Sequence, residues 1–244
     1  MLWEIIFLFL IVLVGGFIQG VSGFGFGLVV MGFLPLFLTL KESTLIVIAL
    51  LLVASCSILL KIYKWIDVKG LIVIVGSALV GRILSFFVLS TYGDMDILKQ
   101  ILGFFLIGMV IYLFFSKKSS STEAKMSPVI PIVLGFLGGF IGGIFAVGGP
   151  FFVFYFLMLY KDKHTYHANL QVSVVITSLM TIILHGVNGD FHSTMLSYLI
   201  VGIIGVFIGT ALGMKWFEKL PRTFIKKLAM SIVLVAALNL IFVS

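Results

Sequence analysis

Long apolar runs alternate with short polar stretches along almost the whole chain. A helix needs about 20 apolar residues to cross the hydrocarbon core of a bilayer, and most of these runs are 17–21 residues long. The pattern predicts ten apolar segments, at residues 4–20, 24–40, 44–60, 70–90, 97–115, 129–147, 150–160, 168–185, 194–213 and 224–243. It therefore predicts an all-α, polytopic membrane protein.

Two of the ten segments differ from simple membrane-spanning helices. The seventh has only eleven residues before Lys161, which is too short to span as a helix. The second is interrupted by Pro35, and proline breaks or kinks a helix. Each directly follows a glycine-rich stretch, at residues 15–27 and 135–150. The pattern predicts a short broken or re-entrant helix after each glycine-rich motif.

The two glycine-rich stretches belong to a longer similarity between the halves of the chain. An offset of 123 residues places residues 16–18 on 139–141, Gly25 on Gly148 and Asp67 on Asp190. With five segments in each half, an odd number, the halves would have opposite orientations in the membrane. We therefore expect a first repeat at 1–115, a cytoplasmic linker at 116–128 and a second repeat at 129–244, forming a single membrane domain.

The charges between the segments support this inversion. If segments 1 and 2 leave the chain on its starting side, one side receives 13 of the 16 lysines and arginines, and the other receives only Lys41 and Lys99. Loops rich in Lys and Arg face the cytoplasm, which would place both termini on the extracytoplasmic side. If segments 1 and 2, and likewise segments 6 and 7, each formed one broken span instead, the basic residues would divide far more evenly between the two sides of the membrane. The lysine-rich loop at 61–69 also has a counterpart at 186–193 with no Lys or Arg, as inverted repeats require.

The composition agrees with a membrane protein. The chain is 61% hydrophobic and 10% charged, whereas soluble proteins average about 25% charged residues. We assign the net charge of +7 to loops that set topology, and expect no binding to nucleic acid. The single cysteine, Cys56, lies inside an apolar segment, where a small buried apolar role is expected.

The glycine-rich stretches suggest a site for a small anion. Inverted repeats are an architecture of secondary transporters, whose sites lie near the midplane where broken helices meet. Removing an anion from water is unfavourable unless fixed donors replace the water, and the first turn of a helix offers unpaired N–H groups. Residues 22–27 and 146–150 fit two such helix starts. The alternative is that these small residues only allow close helix packing.

Arg82 is the most notable single charge. It lies within segment 70–90, about twelve residues from the flanking loops, and an arginine inside a membrane costs at least ~2.5 kcal/mol. Its guanidinium fork can bind two oxygens of an oxyanion, although a pairing with a backbone carbonyl would also explain it. Asn169, Gln171 and Ser173 could donate to an anion or bond between helices. The predicted substrate-binding residues are Gln19, Ser22, Gly23, Gly25, Gly27, Arg82, Ala146, Gly148, Gly149, Asn169, Gln171 and Ser173.

No catalytic residue, metal ligand or cofactor is predicted. The stretch from His185 to His192 matches no metal-binding spacing and is interpreted as an external loop. Asp190 or His185 could nevertheless relay protons, since histidine titrates near neutral pH. We find no phosphate loop, nucleophile elbow or paired-carboxylate site, and we expect no enzyme activity.

The two motifs resemble those of a known transporter family. They read GFIQGVSGFGFG at 16–27, with Pro35 downstream, and GFIGGIFAVGGP at 139–150. The chain resembles the sulfite exporter TauE/SafE family, within the 4-toluene sulfonate uptake permease superfamily. In the first motif Phe26 separates two glycines where a run of consecutive glycines is usual in the family. The resemblance implies transport of a small sulfur-containing anion, coupled to an ion gradient.

We therefore expect a secondary transporter for sulfite, sulfoacetate or another organosulfonate, working by alternating access. Protons are the expected coupling ion. The alternatives are a passive anion channel or facilitator, or a transporter of another small organic anion. The expected location is the plasma membrane, the inner membrane in a bacterium, with the chain crossing the lipid bilayer several times. The sequence leaves open whether the protein is a homodimer.

Overall fold

The computed structural model describes residues 2–115 and 127–217, and the scattered positions 219, 231, 233–235, 237–238 and 241. These residues form helices and loops, without a strand among them. The α-helices are α1 (Leu2–Ser22), α2 (Phe26–Val30), α3 (Leu40–Ile62), α4 (Val68–Tyr92), α5 (Asp96–Phe115), α6 (Val129–Phe145), α7 (Gly149–Leu159), α8 (Lys163–Val187) and α9 (Ser193–Trp216). Two 3-10 turns lie at Leu34–Leu36 and Tyr63–Trp65.

Within these described ranges, five helices are long and apolar enough to cross a membrane: α1, α3, α4, α8 and α9. The segments after the glycine-rich motifs are short, since α2 has 5 residues and α7 has 11. The prediction of an all-α, polytopic membrane protein with short helices after these motifs is confirmed. The predicted linker, apart from residues 127 and 128, and most of the tenth segment lie outside the described residues.

Left-handed backbone residues create the breaks that follow α1 and α6. After α1, Gly23 and Gly25 have φ angles of 84° and 104°, and after α6 Ala146 has a φ of 55°. A left-handed residue commonly ends a helix, and glycine adopts this conformation without steric strain. At Ala146 the same conformation costs about 1–3 kcal/mol, so the surrounding packing must hold it. The offset of 123 places Gly23 on Ala146, so both helices end at equivalent positions.

Each short helix returns the chain to the end of the molecule from which it came. The Phe7 ring, near the start of α1, has its centroid 5.9 Å from that of Phe33, which follows α2. In the second half, Ser77 of α4 donates a 3.3 Å hydrogen bond to the carbonyl of Pro131, near the start of α6. Tyr160, just after α7, donates to the carboxylate of Asp67, at the start of α4. Both pairs are therefore hairpins rather than single broken spans.

Small residues hold the first helix of each half against the fourth helix of the other half. α1 packs on α9 and α6 packs on α4, while α3 packs on α8. A Cβ added at Gly20 of α1 would lie 2.8 Å from the carbonyl oxygen of Thr210 in α9. A Cβ added at Gly139 of α6 would overlap the carbonyl oxygen of Ala78 in α4. Glycine therefore permits backbone approaches that any larger residue would block.

The loops gather into two groups at opposite ends of the helices. One group joins the start of α3 to two loops, because the Lys41 N–H donates to Gly93 and the Lys41 ammonium pairs with Asp190. The other group joins the α3–α4 loop to α8, because the Asp67 N–H donates to the side-chain oxygen of Asn169 at 3.0 Å. The count of lysines and arginines in the sequence divides the loops into the same two groups.

Candidate functional site

The two helix breaks touch each other in the middle of the molecule. A Cβ added at Gly27, in the first turn of α2, would overlap the carbonyl oxygen of Ala146, which follows α6. On the other side, a Cβ added at Gly149 would lie 3.5 Å from the Cβ of Phe24. The beginnings of α2 and α7 therefore lie side by side, one from each half of the chain.

A small cavity lies where the breaks meet. Its volume is about 20 Å³, which is room for about one water molecule. Eight of the twelve predicted substrate-binding residues line it: Gln19, Gly23, Gly25, Gly27, Arg82, Ala146, Gly148 and Gly149. The other lining residues are Phe24, Leu28, Leu51, Val147, Pro150, Phe152, Val174 and Thr177.

Arg82 is the only charged residue among those lining residues, and its side chain comes from α4. It is 4% exposed, and its Nη1 donates to the carbonyl of Gly142 at 2.8 Å and to the Thr181 hydroxyl at 3.1 Å. Among the described residues, its Nε–H has no acceptor and no carboxylate lies within ion-pair distance. The cavity therefore carries a buried positive charge whose donor capacity is partly unused.

Gln19 lies at the cavity, but its side chain makes hydrogen bonds to the backbone of the first break. Its Nε2 donates to the carbonyl of Gly23 at 3.0 Å, and its Oε1 accepts from the Phe26 N–H at 3.3 Å. Gln171 of α8 donates to the same Gly23 carbonyl at 2.9 Å and accepts from Gln19 at 3.2 Å. These two side chains satisfy the Gly23 carbonyl and the Phe26 N–H, which the break between α1 and α2 leaves without helical partners.

We expect Gln19→Leu to destabilise the protein by about 1–3 kcal/mol, because the buried Phe26 N–H and Gln171 amide each lose a partner. Thermal unfolding in detergent measures the effect. Gln100→Leu, at a partly exposed position of α5, is the matched control and should change stability by no more than ~0.5 kcal/mol. Equal unfolding temperatures for Gln19→Leu and Gln100→Leu would contradict the role of Gln19 in stabilising the first break.

Four predicted residues do not line the cavity, and Gln171 is one of them. Ser22 bonds the carbonyls of Ile18 and Phe24, both at 2.7 Å, across the end of α1. Asn169 accepts from the Asp67 N–H and donates to the carbonyl of Thr165, which ties α8 to the α3–α4 loop. Ser173 donates to the carbonyl of Asn169 one turn earlier. Their polar atoms are engaged in positioning the backbone.

The residues that sequence reasoning missed are mostly apolar. Leu51 of α3 and Val174 of α8 are related by the offset of 123 and lie on the same cavity, so the repeat itself is the signal that could have found them. Thr177 lines the cavity and donates to the carbonyl of Ser173 at 2.7 Å. Within the residues that the structure describes, no group of three or more His, Cys, Asp or Glu side chains is placed to hold a metal ion.

A comparison with protein families assigns the chain. The model of the family described as Sulfite exporter TauE/SafE matches residues 8–240. The chain belongs to the TauE/SafE sulfite exporter family. Membership implies a multi-pass membrane transporter for sulfite or other sulfur-containing anions, and the resemblance seen in the two motifs is confirmed. No curated protein and no solved structure matches the chain, so this assignment depends on the family model.

Proposed function

We propose that this TauE/SafE protein is a secondary transporter that binds a sulfite or organosulfonate anion where its two helix breaks meet. The observation that carries the proposal is Arg82, a buried guanidinium without a carboxylate partner among the described residues, lining the cavity between the breaks. We include sulfite, sulfoacetate and other organosulfonates as substrates, carried across the plasma membrane.

The chemistry of this site favours an anion. An uncompensated buried charge is strongly unfavourable, and a bound anion would supply the missing counter-charge. The guanidinium presents paired N–H donors whose geometry suits two oxygens of a sulfonate or sulfite. The first turn of α7, which begins at Gly149, adds backbone N–H groups and a partial positive charge beside it. No negative side chain lines the cavity to oppose an anion.

We propose alternating access as the mechanism. A cavity of about 20 Å³ is smaller than an anion of four or more heavy atoms, so the binding site must widen for substrate to enter. The first helix of each half packs on the fourth helix of the other half. This packing supports two inverted repeats that move against each other. A passive channel would instead require a continuous open path, which a cavity of about 20 Å³ does not favour.

The proposal includes an orientation, with the lysine-rich end and the linker at 116–128 in the cytoplasm and both termini outside. Single cysteines test it in a Cys56→Ala background with a membrane-impermeant maleimide. Asp94→Cys should be labelled in intact cells, whereas Lys64→Cys should be labelled only after permeabilisation. Both positions are exposed, so accessibility within the fold does not separate them. The reverse pattern would contradict the orientation.

Uptake into proteoliposomes tests the transport function directly. We expect labelled sulfite and sulfoacetate to accumulate in liposomes containing the protein, and an outside-acidic pH gradient to accelerate uptake. Protein-free liposomes provide the control. A passive facilitator would show flux that does not respond to the proton gradient. Absence of sulfite and sulfonate movement under every gradient would exclude the proposed substrate class.

A further inference from the structure

A buried cluster of charged and titratable groups lies at the end of α8, away from the cavity. His185 is fully buried, and its Nδ1 lies 2.6 Å from one carboxylate oxygen of Asp190. The other oxygen of Asp190 lies 2.6 Å from the Lys41 ammonium, and Asn188 donates to the carboxylate at 3.0 Å. A histidine, an aspartate and a lysine from three parts of the chain therefore form one connected group.

Within this cluster, His185 is the group best placed to change its protonation. Burial raises the pKa of Asp190, but hydrogen bonds from Lys41, His185 and Asn188 outweigh it and hold that pKa below its ordinary value. A carboxylate that accepts these bonds fixes a neutral His185 with its proton on Nδ1. Its Nε2 is buried and has no hydrogen-bond partner among the described residues. A proton would bind to the lone pair of this Nε2.

Two contacts connect His185 to Arg82. Thr181, one turn before His185 on α8, accepts a 3.1 Å hydrogen bond from Arg82. Phe86, one turn after Arg82 on α4, contacts the imidazole edge-to-face with ring centroids 4.9 Å apart. The charged groups that face the imidazole are Asp190 from the loop that follows α8, Lys41 from α3 and Arg82 from α4. The histidine and the cavity arginine share one helix interface.

We propose that His185 is a proton-binding site that couples the proton gradient to the anion held at Arg82. The proposal depends on the transport function proposed above. A proton that binds Nε2 converts the imidazole to an imidazolium and adds positive charge near Arg82, and a bound anion offsets that charge. Linkage is reciprocal, so proton and anion favour each other's binding and travel in the same direction. The proton leaves from the same nitrogen when the anion is released.

Among the described residues at the other end of the molecule, the equivalent aspartate has different partners. Asp67, which the offset of 123 relates to Asp190, accepts from the Tyr160 hydroxyl at 2.9 Å and from the Lys69 N–H at 3.1 Å. A tyrosine hydroxyl does not ordinarily titrate near neutral pH, whereas an imidazole does. The repeat therefore contains two equivalent aspartates, of which Asp190 is the one paired with a histidine. The proposed coupling acts at that end.

Sulfoacetate uptake into proteoliposomes tests the coupling, since its charge is constant between about pH 6 and about pH 8, where histidine titrates. We expect an outside-acidic gradient to accelerate uptake by the wild type. In His185→Gln the acceleration should be lost, and sulfoacetate exchange without a gradient should no longer change between about pH 6 and about pH 8. His192→Gln is the matched control, because His192 is exposed and makes no side-chain cap bond, and it should keep the acceleration.

The pH dependence of sulfoacetate binding in detergent provides a second measurement. Asp190→Asn removes the carboxylate that stabilises the imidazolium, so the midpoint of proton-linked binding should shift to lower pH. Full gradient acceleration in His185→Gln, or an unchanged midpoint in Asp190→Asn, would overturn the coupling site alone. A wild-type protein that moves neither sulfite nor sulfoacetate would overturn the proposed transport function as well.

Discussion

Arg82→Gln should weaken anion binding by about 100-fold without destabilising the anion-free protein. A hydrogen bond to a charged group contributes about 1.5–3 kcal/mol, and every 1.4 kcal/mol is about tenfold in affinity. Removal of a buried charge that lacks a counter-ion is, in contrast, close to neutral for folding or favourable. The loss of the bonds to Gly142 and Thr181 opposes that gain. The prediction therefore separates a binding role from a structural role.

Thermal unfolding with and without sulfite or sulfoacetate measures both quantities. A ligand that binds the folded state raises the unfolding temperature according to its concentration relative to Kd. We expect this shift in the wild type, a smaller one in Arg82→Lys and none in Arg82→Gln at the same anion concentration. Lysine keeps the charge but loses the planar fork, so about a tenfold loss of affinity is expected.

Lys99→Gln is the control for net charge. Lys99 lies near the start of α5 and pairs with an exposed Asp96, so its loss should change stability by less than ~1 kcal/mol and leave the anion shift intact. Retained anion shifts in both Arg82 variants would remove Arg82 from the site. A large fall in the stability of anion-free Arg82→Gln would indicate that the arginine is mainly structural.

Gly27→Ala should destabilise the protein by ~3 kcal/mol and abolish transport. The added methyl would overlap the carbonyl oxygen of Ala146, and a backbone atom cannot rotate away as a side chain can. Overpacking in a filled interior typically costs about 1–3 kcal/mol, and the fixed position of this oxygen favours the upper end. Thermal unfolding and the yield of monodisperse protein measure the loss of stability, and uptake measures the loss of transport.

Two other glycines provide matched stability controls for this variant. Gly149→Ala is in the second break, where the new Cβ would lie 3.5 Å from Phe24 in ordinary van der Waals contact, so stability should be retained. Gly76→Ala is within α4 with no atom inside 4 Å of the new Cβ, and alanine is the better helix former by about 1 kcal/mol. Wild-type stability in Gly27→Ala would contradict the close contact between the breaks.

The sequence predicted the helices and the breaks because both depend on local patterns. Apolar runs of membrane-spanning length correspond to α1, α3, α4, α8 and α9, and glycine or proline marks the short helices. The eleven residues before Lys161 correspond to α7 at Gly149–Leu159. The inversion of the halves stays a proposal, because the order of helix contacts does not by itself show that the two halves are related by an axis in the membrane plane.

The roles of individual residues could not be predicted in the same way. Gly20 and Gly139 pack helix against helix, whereas Gly27 and Gly149 lie at the cavity, although all four belong to similar motifs. The difference depends on which face of the chain meets which partner, and that is a tertiary property. Polar residue type was equally ambiguous, since Gln171 bonds to the backbone beside the cavity without lining it.

The central claim is that one anion binds between the two helix breaks, next to Arg82. A structure determined experimentally with sulfoacetate or sulfite tests it most directly. We expect anion density between residues 22–27 and 146–150, with an oxygen about 3 Å from a guanidinium nitrogen of Arg82. Anion density elsewhere in the protein, with the junction of the breaks unoccupied and Arg82 bound only to Gly142 and Thr181, would contradict the claim.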